Sequence, residues 1–182
     1  MSSALAELEF RMESRSMTFA YADPPYLGHG KKDYGHRHPD AADWDDPREH
    51  IALLDRLSHE YPDGWAVSLD LPSLRLYLQH APSDCRVAAW CKTMHQIYVN
   101  VPVQYAWEPV IWRGGRVVKG RNPMIRDWIT SATAQVGFKG AKPMRFNQWV
   151  VDLLGYQEGD TLDDLFPGTG SMAVTLANGV LL

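Results

Sequence analysis

Short apolar runs that end at Pro, Gly or Asp alternate along this chain with stretches whose apolar residues recur every three or four positions. Residues 17–22 (Met-Thr-Phe-Ala-Tyr-Ala) are apolar and partly aromatic and stop at Asp23-Pro24-Pro25, the pattern of a buried strand running into a rigid loop. Residues 27–44 are polar, rich in Gly and His and without a period, which predicts a mobile loop. Asp46-Pro47 then opens a helix with Ile51, Leu53, Leu54 and Leu57 at helical spacing, ending near Pro62-Asp63-Gly64. Residues 65–69 read as the next strand, and residues 72–79 as a short helix with Leu74 and Leu78 on one face. A third strand covers 86–90, and residues 109–112 turn at Gly114-Gly115 into 116–118 as an expected hairpin. Residues 143–154 form a helix burying Phe146, Trp149, Val150 and Leu153, closed by Gly155. A last strand, 161–166, leads through Pro167-Gly168-Thr169-Gly170 into a short helix from Ser171. Strands alternating with helices imply an α/β domain with a largely parallel sheet.

With 182 residues, 45% hydrophobic and 22% charged, the chain supports one core, so a single domain spanning 1–182 is expected. No apolar run approaches the roughly 20 residues that span a bilayer. The start of the chain carries Glu7, Glu9 and Glu13 and lacks the basic and apolar blocks of a secretory signal, so a cytoplasmic protein without membrane attachment is expected. Cys85 and Cys91 flank the 86–90 strand, and six strand residues hold them roughly 20 Å apart, beyond disulfide reach. No Cys-x-x-Cys or His/Cys set supports zinc. The net charge of −4 hides an asymmetry. Residues 113–145 carry eight basic side chains against the single acid Asp127, a net +7 that leaves −11 elsewhere, and residues 40–70 are dense in Asp and Glu. A local basic surface suits phosphate contacts, which makes Arg113, Arg116, Lys119 and Arg121 candidate nucleic-acid ligands; an ordinary solvated loop explains the same residues.

Ligands of open α/β sheets bind beyond the carboxyl ends of the strands, and two such ends here carry unusual loops. In Asp23-Pro24-Pro25-Tyr26 the prolines stiffen the backbone and remove two amide donors, so an acid, fixed carbonyls and an aromatic ring converge. In Asp164-Leu165-Phe166-Pro167-Gly168-Thr169-Gly170 the glycines allow close backbone approach to a ligand. Taken singly, a proline-stiffened turn with a capping Asp explains the first, and a tight strand–helix turn the second. The second loop lacks the third glycine of the dinucleotide fingerprint and the Gly-Lys-Ser/Thr of a triphosphate loop.

Together the two loops resemble those of nucleic-acid amino-methyltransferases that use S-adenosylmethionine (SAM). Asp23-Pro24-Pro25-Tyr26 matches that family's catalytic motif, and Asp164, Phe166, Gly168 and Gly170 match its Asp-x-Phe-x-Gly-x-Gly cofactor loop. Lys142-Pro143 and the helix after it, preceding the cofactor loop, are similar to the permuted subclass in which the catalytic motif comes first. More closely, the chain resembles compact adenine methylases of bacteriophages and actinobacteria, and distantly the messenger-RNA adenosine methylases; Asp45-Asp46-Pro47, Trp107-Glu108-Pro109-Val110 and Arg126-Asp127-Trp128 add to this.

The resemblance implies a Rossmann-like class I methyltransferase sheet with helices on both faces, circularly permuted and shortened at the C-terminus. It implies N6 methylation of a flipped-out adenine in DNA. RNA adenine, DNA N4-cytosine and an inactive nucleic-acid-binding module are the alternatives. Asp23 and the Pro24 carbonyl would accept hydrogen bonds from the target amine, Pro25 would stiffen the loop and Tyr26 would stack on the base. SAM would lie across Phe166, Pro167, Gly168, Thr169, Gly170 and Ser171, with Asp164 near its amino-acid end and Lys142 near its carboxylate. Lys31, Lys32 and Arg37 lie in the loop after the motif, placed to close over the substrate. No metal is expected, although His36 and His38 with Asp33 and Asp40 imitate a ligand set. Glu108 and Trp90-Cys91-Lys92 fall where family motifs do, with a structural role as plausible. The family's second strand, whose acid holds the ribose, has no counterpart after Gly170; Asn178 or the loop after Asp23 would take over. So small a recognition region also implies a partner subunit, a homodimer in the simplest case.

Overall fold

The computed structural model describes residues 15–36, 38–94, 97–118, 124–134 and 140–179. Residues 1–14 lie outside these, as do three basic residues read above as substrate contacts: Arg37, Lys119 and Arg121.

Six strands form one sheet: β1 (Thr18–Ala22), β2 (Gly64–Ser68), β3 (Arg86–Lys92), β4 (Trp107–Gly114), β5 (Trp128–Ser131) and β6 (Thr161–Asp164), in the order β5-β3-β4-β2-β1-β6. β1 runs parallel to β2 and β6, and β3 parallel to β5, while β4 is antiparallel to both β2 and β3. One reversed strand thus sits in an otherwise parallel sheet, as the alternation of elements predicts.

Side-chain alternation divides the core in two. Phe19, Tyr21, Ala66, Trp90 and Val110 face helix α3 (Met144–Leu154) and α4 (Ser171–Ala177). Ala20, Ala22, Trp65, Val67 and Ile111 face helix α1 (Pro47–Glu60) and bury Tyr77 of α2 (Leu71–His80). Helices therefore cover both faces. The helix starts follow from local chemistry: the carboxylates of Asp46 and Asp70 accept the N–H groups of Arg48 and Ser73, and Pro47 and Pro72 occupy the first turns. α3 ends at Gly155, whose φ of 65° lies in the left-handed region that a side chain would strain.

Four expectations change. The Gly114-Gly115 pair does not turn a hairpin: residues 116–118 form no strand, and the Arg116 N–H donates to the Leu154 carbonyl at 2.8 Å instead. The antiparallel partners of β4 are β2 and β3. β5, four residues long, was not anticipated. Residues 30–34 and 39–45 form a π-helical and a 3₁₀ segment rather than an unstructured loop, because the Asp45 carboxylate accepts the N–H groups of Gly30 (2.7 Å) and Lys31 (3.1 Å) and ties the two together. On α2 the buried face carries Ser73 and Tyr77, and Leu78 is exposed. Here Tyr77 fills the core and hydrogen-bonds the buried His50 ring at 2.8 Å. Among the described residues no helix is long and apolar enough to cross a membrane.

Candidate active site

The two unusual loops, some 140 residues apart in the sequence, leave neighbouring parallel strands. Tyr21 is in register with Asp164, and the Leu165 N–H extends that ladder to the Tyr21 carbonyl at 2.9 Å. Beyond this point the chains diverge and leave a cleft of about 430 Å³. Asp23 and Pro25 line it from one side; Asp164, Phe166, Pro167, Gly168, Thr169 and Ser171 line it from the other. Gly168 (φ 48°) and Gly170 (φ 72°) take left-handed conformations that turn β6 back into α4. A Cβ at Gly170 would meet no atom within 4 Å, so the backbone angle rather than space calls for glycine there.

A network of buried charge closes one end of the cleft. The Lys142 ammonium lies 2.7 Å from both carboxylate oxygens of Asp23, 3.2 Å from the Tyr26 hydroxyl and 3.8 Å from Glu108. The Tyr26 hydroxyl donates to Glu108 at 3.0 Å, and Glu108 is also paired with Lys92. Burial opposes ionisation of Lys142, yet Asp23 and Glu108 outweigh it and raise its pKa, so it stays an ammonium. Burial raises Glu108, but Lys142 and Lys92 together hold it below the usual range. Burial lifts Asp23 above the ordinary carboxylate value against the pull of Lys142, and lifts Asp164 likewise. Burial, with Glu108 and Asp23 beside it, keeps Tyr26 a protonated donor. Lys142 thus sits on the Asp23 carboxylate, whereas the resemblance implied a role toward a cofactor carboxylate. Glu108 and Lys92, left open by sequence, are drawn in because β3 ends and the reversed β4 begins at this edge.

The segment after Tyr26 folds over the cleft. Tyr34, His38, Asp40, Ala41 and Trp44 line it, with the Trp44 ring edge-on to Phe166 at 4.9 Å between centroids. Lys31 and Lys32 are exposed on the same segment. The loop after Asp23 therefore supplies an acid, Asp40, to the cleft, while Asn178 lines a separate groove with Ile125, Ile129 and Trp149. Trp44 and Asn147 are lining residues that sequence reasoning did not assign to the site, while His38 and Asp40 stood out there only through the apparent ligand set and the acidic block. Among the described residues no group of three or more His, Cys, Asp or Glu side chains converges on a metal position.

Two candidate substrate contacts fall away from the cleft. Arg113 and Arg116 lie at the amino-terminal edge of the parallel strands, opposite the cleft, because β4 runs backwards. Arg113 bonds Asp84 at 2.8 Å, and the largely buried Arg116 donates to Asp160 at 2.6 Å and to the Arg15 carbonyl at 2.8 Å.

No family model matches the sequence, and no curated protein does. Solved structures do resemble the fold. M1.HpyAVI in complex with SAM superposes with a TM-score of 0.53 at 14% identity, over 97% of this chain and 86% of that one. TTHA0409 from Thermus thermophilus, itself only a candidate DNA modification methylase, gives 0.56 at 12% identity, over 92% and 80%. The chain has a Rossmann-like methyltransferase fold, in which the strand before the Asp-Pro-Pro-Tyr loop precedes in sequence the strand before the glycine loop.

Proposed function

We propose that the chain is a SAM-dependent DNA amino-methyltransferase that methylates N6 of an adenine flipped out of the duplex. The observation that carries this reading is the shared cleft, with Asp23 and the Phe166–Thr169 turn facing it from adjacent strands. The residues present suit SAM: a glycine turn open to close approach, aromatic rings at Trp44 and Phe166, a carboxylate at Asp164, and a volume within the range of small-molecule sites. Phe166, Pro167, Gly168, Thr169, Gly170 and Ser171 would hold it, with Asp40, which lines the same cleft, offered to the ribose. SAM supplies a methyl group on an electrophilic sulfonium.

The protein's own task is to make a poor nucleophile competent. The lone pair of an exocyclic amine is delocalised into the ring, and hydrogen bonds from that amine to Asp23 and the Pro24 carbonyl localise it on nitrogen. The Asp23 carboxylate has lone pairs beyond the two that Lys142 engages. Its raised pKa makes it a better acceptor, and the nitrogen becomes strongly acidic only after methylation, so Asp23 takes the proton late. Positioning and electrostatics do the work without a covalent intermediate. The Tyr26 ring, pinned through its hydroxyl by Glu108, stacks on the extruded base and recovers ~1–3 kcal/mol of the unstacking cost. Lys31 and Lys32 contact the phosphate backbone.

Incubation with SAM and either DNA or RNA, followed by nucleoside mass spectrometry, tests this. N6-methyladenine in DNA is the expected product. Methylated cytosine or methylation confined to RNA would change the substrate, and no product together with no saturable SAM binding would overturn the reading.

A further inference from the structure

Pro143 caps α3 and restricts the residue before it, Lys142, to extended backbone. The Lys142 side chain is 5% exposed, and its ammonium lies 5.9 Å from the Phe146 ring centroid. All three of its N–H groups are engaged within the protein. Two donate to the Asp23 oxygens at 2.7 Å; the third has the Tyr26 hydroxyl oxygen at 3.2 Å and the Gly140 carbonyl at 3.4 Å. No donor is left over for the carboxylate of a ligand. An ammonium removed from water is unfavourable unless its partners compensate, and here the partner at hydrogen-bond distance on both oxygens is the acid of the Asp-Pro-Pro-Tyr loop.

Asp23 can accept from an amine only as a carboxylate, because a protonated acid would set one donor against another. The titratable groups facing it are Glu108 of β4, Tyr21 of β1, Tyr26 and Tyr34 of the segment after β1, Asp164 of β6, and Lys142. Of these only Lys142 is a cation, and Lys92 nearby is paired with Glu108. Burial and the Glu108 charge favour the protonated acid; the Lys142 ammonium opposes both. Contact with both oxygens also fixes the plane of the carboxylate, so its remaining lone pairs have a set direction.

We propose that Lys142 is a positioning residue for methyl transfer: by gripping both oxygens of Asp23 it holds that carboxylate ionised and oriented as the acceptor for the target amine. This rests on the methyltransferase reading of the cleft and gives Lys142 a part in the chemical step in place of one in cofactor binding.

The pH profile of kcat for methyl transfer from saturating SAM to mixed-sequence DNA, measured on the full chain, tests this. In the unaltered protein kcat rises with pH as Asp23 ionises and then levels off. Lys142→Met moves that acid limb upward by about one to three pH units, so that rate lost near neutrality returns at higher pH. Its SAM affinity by calorimetry stays within a few-fold. Lys142→Gln, which keeps a donor without the charge, shows the same shift and serves where the methionine variant fails to fold. Lys142→Arg restores the cation and returns the limb toward its original place. Glu108→Gln, which removes a negative neighbour, moves the limb downward. A kcat lowered equally at every pH in the uncharged variants, meaning a packing role, overturns the assignment. So does a loss of SAM affinity with the limb in place, meaning a cofactor contact, or a limb abolished in Glu108→Gln, meaning that Glu108 is the group titrating. An unaltered protein that transfers no methyl group to DNA or RNA at any pH overturns the methyltransferase reading itself.

Discussion

The two edges of the sheet carry similar residue types and put them to opposite use. At the amino-terminal edge, Asp160 accepts from the Met17 N–H (2.8 Å), the Gln157 N–H (2.8 Å) and Arg116 (2.6 Å). Asp63 there accepts the Thr18 N–H at 2.9 Å and pairs with Arg15. Each carboxylate is tied to backbone it holds in place, and the edge is closed. At the carboxyl edge, Asp23 and Glu108 crowd around Lys142 and Lys92, the Asp23 pKa raised and the Glu108 pKa lowered, and a cleft stays open. Charge that is locked into the backbone stabilises strand starts; charge left in tension beside a cleft is available for chemistry. The concentration of Arg and Lys that suggested a nucleic-acid surface belongs, at Arg113 and Arg116, to the first kind.

This contrast can be broken most sharply at Asp23. Asp23→Ala is expected to reduce methyl transfer to DNA by about 10³-fold or more, as loss of a group acting on the reacting atoms does. SAM affinity in the same variant should stay within a few-fold by calorimetry; retained turnover would place the chemistry elsewhere. At the closed edge the effect should appear in stability instead. Asp160→Ala leaves the largely buried Arg116 without its carboxylate and is expected to cost about 3–5 kcal/mol in denaturant unfolding. The SAM affinity of its folded fraction should be unchanged.

A smaller effect concerns pH. Burial raises the Asp164 pKa above its ordinary 3.8. A cationic ligand favours the ionised form, so SAM affinity should rise with pH through the Asp164 titration and level off above it. Calorimetry across the acid range should show this limb, and Asp164→Asn should flatten it. The smallest effect is expected from Arg113→Ala. Its pair with Asp84 is half open to solvent, so stability should change by no more than about 1 kcal/mol. DNA affinity should not move; a loss of DNA binding would return this edge to the substrate.

The parts of the fold that sequence made legible are those where local chemistry and periodicity agree. Asp46-Pro47 caps and opens α1, Gly155 closes α3, and both loops after β1 and β6 stand out by their Pro and Gly residues. The parts it hid have physical reasons. β5 is too short for a two-residue alternation to register, and π and 3₁₀ turns in residues 30–45 leave no 3.6-residue period. Gly114-Gly115 looks like a hairpin turn, yet the two glycines let this segment pass close to Asp63, where a Cβ on Gly114 would collide with backbone, and to Leu154, where one on Gly115 would be tight. Asn147 was silent because a polar residue on a core-facing helix position acquires meaning only from what surrounds it.

Sequence alone determined which short segments are stiff, which are permissive and which are apolar, since proline rings, glycine φ angles and side-chain transfer energies are properties of single residues. Only the tertiary structure decided which charges meet. Strand order and the reversal of β4 bring Lys142 and Glu108 to Asp23 and send Arg113 and Arg116 to the far edge. Electrostatic and hydrogen-bond energies depend on distance and burial, and neither is set until the sheet is assembled.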